Sequence, residues 1–143
     1  MIFCQGKIYY ELLEKKEELR ADKVAIVRIE QLHPLPEKQL NAVLERYANA
    51  KDHLWVQEEP MNMGAWGYLK LNWTSIKLEC ISRFISGAPA TGSSVRWAIQ
   101  QKAIVEQAFT GLGSTVSTKA AKGKIVANGT SPSKAAYSKK KSA

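Results

Sequence analysis

The chain has 143 residues, 45% hydrophobic and 24% charged, which suits one domain of roughly 100–150 residues with a small remainder. Its formal net charge of +8 is unevenly placed: from Gly111 onward the charged side chains are seven lysines with no acid, so residues 1–110 are close to neutral. A neutral body with a basic tail gives weak support to binding of nucleic acid or an anionic membrane, and no run approaches the roughly 18–20 apolar residues of a membrane helix.

"MIFC" reads as a strand that starts at the first residue and ends at Gln5-Gly6. It lacks the basic and long apolar regions of a signal peptide, and it suggests a domain cut from a longer chain. Residues 7–20 have helical spacing, with Ile8, Leu12, Leu13 and Leu19 on one side and "EKKEELR" on the other. "KVAIVRI" (23–29) is a continuous β-branched run, as expected of a strand buried on both faces. "HPLPEKQL" supplies a turn and a helix start, and residues 37–47 repeat the helical pattern.

"DHLWVQE" (52–58) is a third strand, with Pro60 ending its pairing, and residues 62–77 form a helix with Trp66, Leu69 and Trp73 on one side. "LECISRFI" (78–85) is a fourth strand. "GAPATGSS" is a loop ending in two serines suited to helix capping, and residues 95–109 close with a helix carrying Val95, Ile99, Ala103, Val105 and Phe109. The order is an α/β fold: a mainly parallel, doubly wound sheet of about four to five strands with flanking helices over residues 1–110. Residues 111–143 are Lys-, Ser- and Ala-rich with few large apolar side chains, and are expected to be a disordered tail.

Parallel sheets collect ligands at the C-terminal ends of their strands, which directs attention to Gln5–Lys7, Gln31–Pro36, Gln57–Gly67 and Ser86–Ser94. In "VQEEPMNMGAW", Glu58 and Glu59 are adjacent strand residues, so their carboxylates diverge and cannot share a proton as a catalytic pair does. They either solvate a strand end or face a partner. His33 and His53 fall at opposite edges of the sheet and cannot chelate one metal ion. "CQGK" is neither a dinucleotide fingerprint nor a Walker loop, although free N–H groups at Gly6 could receive an anion. Cys4 and Cys80, each in an apolar run, read as reduced, buried thiols of a cytosolic chain. The sequence offers no catalytic residue set and no metal ligand set.

Four segments in order, "IFCQGKIYYELLEKK", "DKVAIVRIEQLHPLP", "HLWVQEEPMNMGAW" and "SRFISGAPATGSSVR", resemble the C-terminal, transketolase C-terminal-like region of the decarboxylase component of 2-oxoglutarate dehydrogenase. The resemblance covers residues 1 to about 109. It implies a parent oxidoreductase of the tricarboxylic acid cycle that decarboxylates 2-oxoglutarate on thiamine diphosphate with Mg²⁺ and passes the succinyl group to a lipoyl carrier. The cofactor and substrate groups of that family lie in upstream domains, so this chain alone is expected to bind no cofactor and to be inactive. Implied partners are the missing N-terminal and middle domains, a homodimer partner and the lipoyl-bearing succinyltransferase component. The resemblance makes Glu58, Glu59, Asn62 and Trp66 part of an interface or access loop.

Some members of the family bind acetyl-CoA or AMP near the loop after the second strand, and the matching positions here are Gln31, Lys38 and Gln39. Gln39 stands where some members have a second basic residue, and Gln5 where many have Ser or Thr. The implied location is the cytoplasm of a bacterium or the mitochondrial matrix of a eukaryote. Two rival readings remain at this stage: a free-standing α/β module that binds a nucleotide or anion, and an adaptor that binds nucleic acid through its lysine tail.

Overall fold

The computed structural model describes residues 1–110; the expected tail, 111–143, lies outside the described residues. Strands and helices alternate: β1 (Ile2–Cys4), α1 (Ile8–Glu18), β2 (Ile26–Arg28), α2 (Glu37–Arg46), β3 (His53–Pro60), α3 (Trp66–Asn72), β4 (Leu78–Arg83) and α4 (Ser94–Thr110). The sheet order is β2-β1-β3-β4, and every pairing is parallel. None of the described helices is long and apolar enough to cross a membrane.

The period-2 alternation of the strands sorts the core into two layers. Ile2, Cys4, Leu54, Val56 and Ile81 face α1 and α4, where they meet Ile8, Leu12, Ile104, Val105 and Ala108. Phe3, Trp55 and Leu78 face the other way, against Leu40 of α2 and Leu69 of α3. β1 has only three residues, yet all are fully buried because it runs between β2 and β3 with a helical layer on each side. Each large apolar side chain buried this completely contributes about 1.5–3 kcal/mol. Burial also suppresses ionisation of the Cys4 thiol, whose pKa is pushed up to about 12.

Four expectations change. The run 23–29 is not a strand buried on both faces: β2 is a three-residue edge strand, and none of its residues is fully buried. A β-branched run looks the same at the edge of a sheet as at its centre. The helix expected over 62–77 is confined to Trp66–Asn72, because the preceding residues form a loop closed by side-chain hydrogen bonds. Leu19 terminates α1 and is exposed, so the buried stripe of that helix is Ile8 and Leu12. On α4 the buried residues are Gln101, Ile104, Val105 and Ala108, whereas Val95 and Ile99 are exposed.

His53 opens β3 at the end of the sheet away from the strand C-termini, and its ring stacks on Phe3 with centroids 6.3 Å apart. Desolvation, followed by the nearby Met1 amine, holds its pKa below the ordinary 6.5, against the opposing charge of Asp52. Folding therefore favours the neutral ring. Its contribution is fully present above pH 6.5 and is lost as pH falls through the lower, folded-state value. Urea unfolding between about pH 7 and 5.5 should show stability declining with acid, and His53→Asn should flatten that slope. A slope unchanged by the substitution would assign the acid sensitivity to other groups.

Candidate functional site

β1 leads through α1 to β2 on one side, and α2 then carries the chain back across β1 to β3 on the other. The loops after β1 and β3 therefore diverge, and the crevice between those strand ends is where doubly wound sheets place ligands. Here the chain's own side chains close it.

β3 runs "HLWVQEEP", and Gln57 shares a face with Trp55 two residues earlier. Gln57 is 2% exposed. Its Oε1 accepts from the Trp55 indole Nε1–H at 2.8 Å and from the Trp66 backbone N–H at 3.0 Å. Its Nε2 donates to the carbonyls of Met63 at 2.8 Å and Pro60 at 3.1 Å, with a longer contact to Glu59 O at 3.4 Å. One buried amide thus ties the end of β3, the loop and the first residue of α3 together. Gly64 completes the arrangement. Its φ is +66°, and a Cβ there would lie 3.0 Å from Gln57 Oε1, which is already held by two donors.

The pairing of β3 with β4 does not stop before Pro60. It breaks after Val56–Ile81 and resumes at Pro60–Arg83, so β3 takes four residues where β4 takes two. This bulge carries the two glutamates. Glu58 is not merely solvated: its carboxylate lies 2.7 Å from Lys7 Nζ, its side chain is 19% exposed, and its carbonyl accepts from Arg83 Nε. Lys7 also lies 3.7 Å from Glu11 and sits over the Trp97 ring, 4.7 Å from its centroid. Its pKa is raised, chiefly by the hydrogen bond to Glu58. The lysine consequently joins the β1–α1 turn to β3 and α4 across the crevice. Glu59 is half-buried at the loop entrance.

Asn62 bridges two loops with both ends of its amide. Nδ2 donates to Ser86 O at 2.9 Å, and Oδ1 accepts from Ser86 N–H at 3.1 Å. Trp66 is half-buried against the α2–α3 layer, with Lys70 Nζ 5.6 Å from its ring centroid. Glu58, Glu59, Asn62 and Trp66 therefore belong to one braced segment, and Gln57, which sequence reasoning left as an ordinary strand residue, is its centre. The available signal was an amide directly after the apolar run Leu54–Val56, seven residues before a glycine.

The other sequence candidates lie apart from it. Gln31 donates from Nε2 to Pro34 O at 2.9 Å and so spans its own loop, which contains the cis peptide His33–Pro34. Lys38 and Gln39 are exposed on the first turn of α2. His33 contacts the Tyr68 hydroxyl at 3.2 Å, far from His53 in the fold. The Gly6 N–H donates to Glu30 Oε1 at 3.1 Å, and Arg28 Nε holds the same oxygen at 2.7 Å. The donor proposed for an external anion is thus taken by an internal carboxylate.

Among the described residues no three His, Cys, Asp or Glu side chains are grouped so as to hold a metal ion. With the Gly6 N–H engaged as well, these residues do not fit a Mg²⁺-bound diphosphate. What the arrangement does is hold a loop rigidly at the ligand edge of the sheet.

Replacing Gln57 with Leu would strand a buried indole N–H, a backbone N–H and two carbonyls. It should destabilise the chain by about 2–4 kcal/mol. Gly64→Ala should cost about 1–3 kcal/mol through its left-handed backbone and the crowded amide. Denaturant unfolding followed by tryptophan fluorescence measures both. Changes within about 0.5 kcal/mol, the ordinary range of surface substitutions, would mean that the amide does not brace the loop.

Residues 1–109 match the family described as 2-oxoglutarate dehydrogenase C-terminal. The chain is 43% identical over 115 residues to the multifunctional 2-oxoglutarate metabolism enzyme of Mycolicibacterium vanbaalenii, covering 76% of this chain and 9% of that protein. It is 42% identical over 114 residues to the 2-oxoglutarate dehydrogenase E1 component of Haemophilus influenzae, covering 76% of this chain and 12% of that protein. With the E1 component of Cupriavidus necator the identity is 41% over 124 residues, covering 83% and 13%. The chain thus spans about an eighth or less of the length of these relatives. A match that takes in every strand and helix of the described fold places this chain in the 2-oxoglutarate dehydrogenase C-terminal family.

Proposed function

We propose that this chain is the C-terminal part of a 2-oxoglutarate dehydrogenase decarboxylase component, and that it serves domain and dimer assembly, with the chemistry performed elsewhere in the parent enzyme. The observation that carries the reading is the family match over the whole described fold. The parent would oxidatively decarboxylate 2-oxoglutarate with thiamine diphosphate and Mg²⁺ held by its preceding domains, and would deliver the succinyl group to the lipoyl-bearing succinyltransferase. A bacterial cytoplasm, or the matrix of a mitochondrion, is the compartment that accompanies such an enzyme.

Within this reading the segment Glu58–Trp66 is an assembly loop. It sits at the sheet edge where doubly wound folds meet partners, and it is fixed from inside by Gln57 and from the side by Asn62. A loop already ordered before contact loses little conformational entropy on docking. Glu59 and the exposed edge of Trp66 then contact the preceding domains or the second protomer, while Glu58 holds Lys7. The proposal extends to Gln31, Lys38 and Gln39 as a regulatory nucleotide site. Lys38 supplies the cation for a phosphate there, and exposure of both Lys38 and Gln39 on α2 supports access.

Glu58→Gln and Glu59→Gln should be made in this chain and in a chimera whose matching segment of the C. necator enzyme is replaced by residues 1–109. In the chain, Glu58→Gln should cost at most about 1 kcal/mol, because Lys7 is largely solvated. Glu59→Gln should stay within about 0.5 kcal/mol. In the chimera both should weaken dimerisation or complex activity several-fold. Loss of several kcal/mol in the chain, with chimera assembly unchanged, would make these carboxylates internal structural groups.

A further inference from the structure

A hollow of about 370 Å³ opens where β4 ends, bounded by Pro60 of β3, the loop after β4 and the start of α4. It lies at the strand C-terminal edge of the sheet, where parallel sheets receive ligands. Arg83, the last residue of β4, and Arg96, in the first turn of α4, both line it.

The charge of this hollow has one sign. No Asp or Glu lines it. Glu58, the nearest carboxylate on β3 with an assigned partner, is held by Lys7, and Asp52 and Glu79 line a different hollow toward the start of β4. Among the described residues no carboxylate comes within ion-pair distance of Arg83 or Arg96. Arg83 gives its Nε–H to the Glu58 carbonyl, which leaves the two terminal nitrogens of its fork to donate. Two guanidinium groups in one concave wall, without a counter-charge, attract an oxyanion and suit its geometry.

The wall is fixed before any ligand arrives. Asn62 holds Ser86 at both its N–H and its carbonyl, and Ser86 Oγ accepts from Ala88 N–H, so the hydroxyl proton is left to donate. Such preorganisation lowers the entropy lost on binding. The remaining lining is largely carbon, with Phe84, Ile85 and Ala88 beside the arginines, and Phe84 is 94% exposed. The hollow therefore offers a charged end for an anionic head and an apolar end for the body that carries it.

We propose that this hollow binds a phosphate monoester, its dianionic head on Arg83 and Arg96 and its carbon body on Phe84 and Ile85. A phosphoryl head matches two cations with two charges, whereas a single carboxylate supplies one. The site goes beyond the assembly reading and is separate from Gln31, Lys38 and Gln39, which follow β2 at the opposite edge of the sheet.

The test titrates the ¹⁵N-labelled 143-residue chain with phenyl phosphate, inorganic phosphate and benzoate at about pH 7.5, where the monoester is a dianion. Backbone amide shifts report the site. Phenyl phosphate should give saturable shifts across residues 83–96, inorganic phosphate should bind several-fold more weakly, and benzoate should not saturate. Arg96→Gln should weaken phenyl phosphate by about tenfold or more, the loss of one charge-assisted contact. Ala90→Glu keeps both arginines and sets a carboxylate in the wall of the hollow, and it should abolish saturation. Shifts that do not saturate, or that are confined to the lysines after Gly111, mean an adventitious ion only and overturn the proposal. Saturable shifts at residues 31–39 in place of 83–96 also overturn it, and credit the regulatory nucleotide site instead. Benzoate binding as tightly as phenyl phosphate overturns the ligand class. If Arg96→Gln disturbs the amide spectrum far from the hollow, Ala90→Glu decides: undiminished binding by that variant overturns the site.

Discussion

The side-chain amide of Gln57 is the constraint on which the rest of the site depends. The loop after β3 turns inward before α3 begins, and it brings backbone carbonyls and an N–H into a region already filled by the Trp55 ring. In that low-dielectric setting each unpaired polar group costs about 1–3 kcal/mol. A carboxylate would offer no donor to the carbonyls of Pro60 and Met63, and an aliphatic side chain would offer nothing. The primary amide supplies acceptor and donors in one plane, and every one of those bonds points at a different part of the turn. Gly64 follows from Gln57, because the backbone must pass the amide more closely than a Cβ permits.

The same economy shapes the crevice between β1 and β3. In ligand-binding doubly wound sheets this crevice receives a phosphate or a cofactor. Here Lys7 reaches across it to Glu58, and Glu30 occupies the N–H of Gly6. Two internal carboxylates sit where an external anion would go. The geometry that elsewhere recognises a ligand is turned inward, so that the strand ends and the start of α4 are fixed relative to one another.

What was legible in the sequence is what local pattern controls. The alternation of short apolar strands with amphipathic helices gave the element order, because β1 and β3 carry their burial in consecutive residues. β2 was misjudged for the complementary reason: Val24 to Val27 have a central strand's composition, and only the sheet order makes them an edge. The role of Glu58 was not legible, since its partner Lys7 is remote in sequence and meets it only through the β1–β3 pairing. The braced role of Gln57 was hidden for a related reason, as it requires the loop to fold back on the strand that precedes it. The family resemblance pointed to the importance of "QEEPMNMGAW" without revealing which residue organises it.

α4 shows where apolar content alone fails to predict burial. Its spacing assigns Val95 and Ile99 to an apolar side, and the fold buries only Gln101, Ile104, Val105 and Ala108. At about 100° per residue Val95 and Ile99 fall on the face of Lys102 and Glu106, opposite the buried one, so they form a separate apolar spot on the solvent side of the helix. The exposed apolar side chains next to the β4 edge are Phe84 and Ile85, just past the end of that strand. Rigidity lowers the entropy lost on contact, and exposed apolar area supplies the attraction. A rigid polar loop binds weakly, and an apolar patch without a fixed frame binds without register.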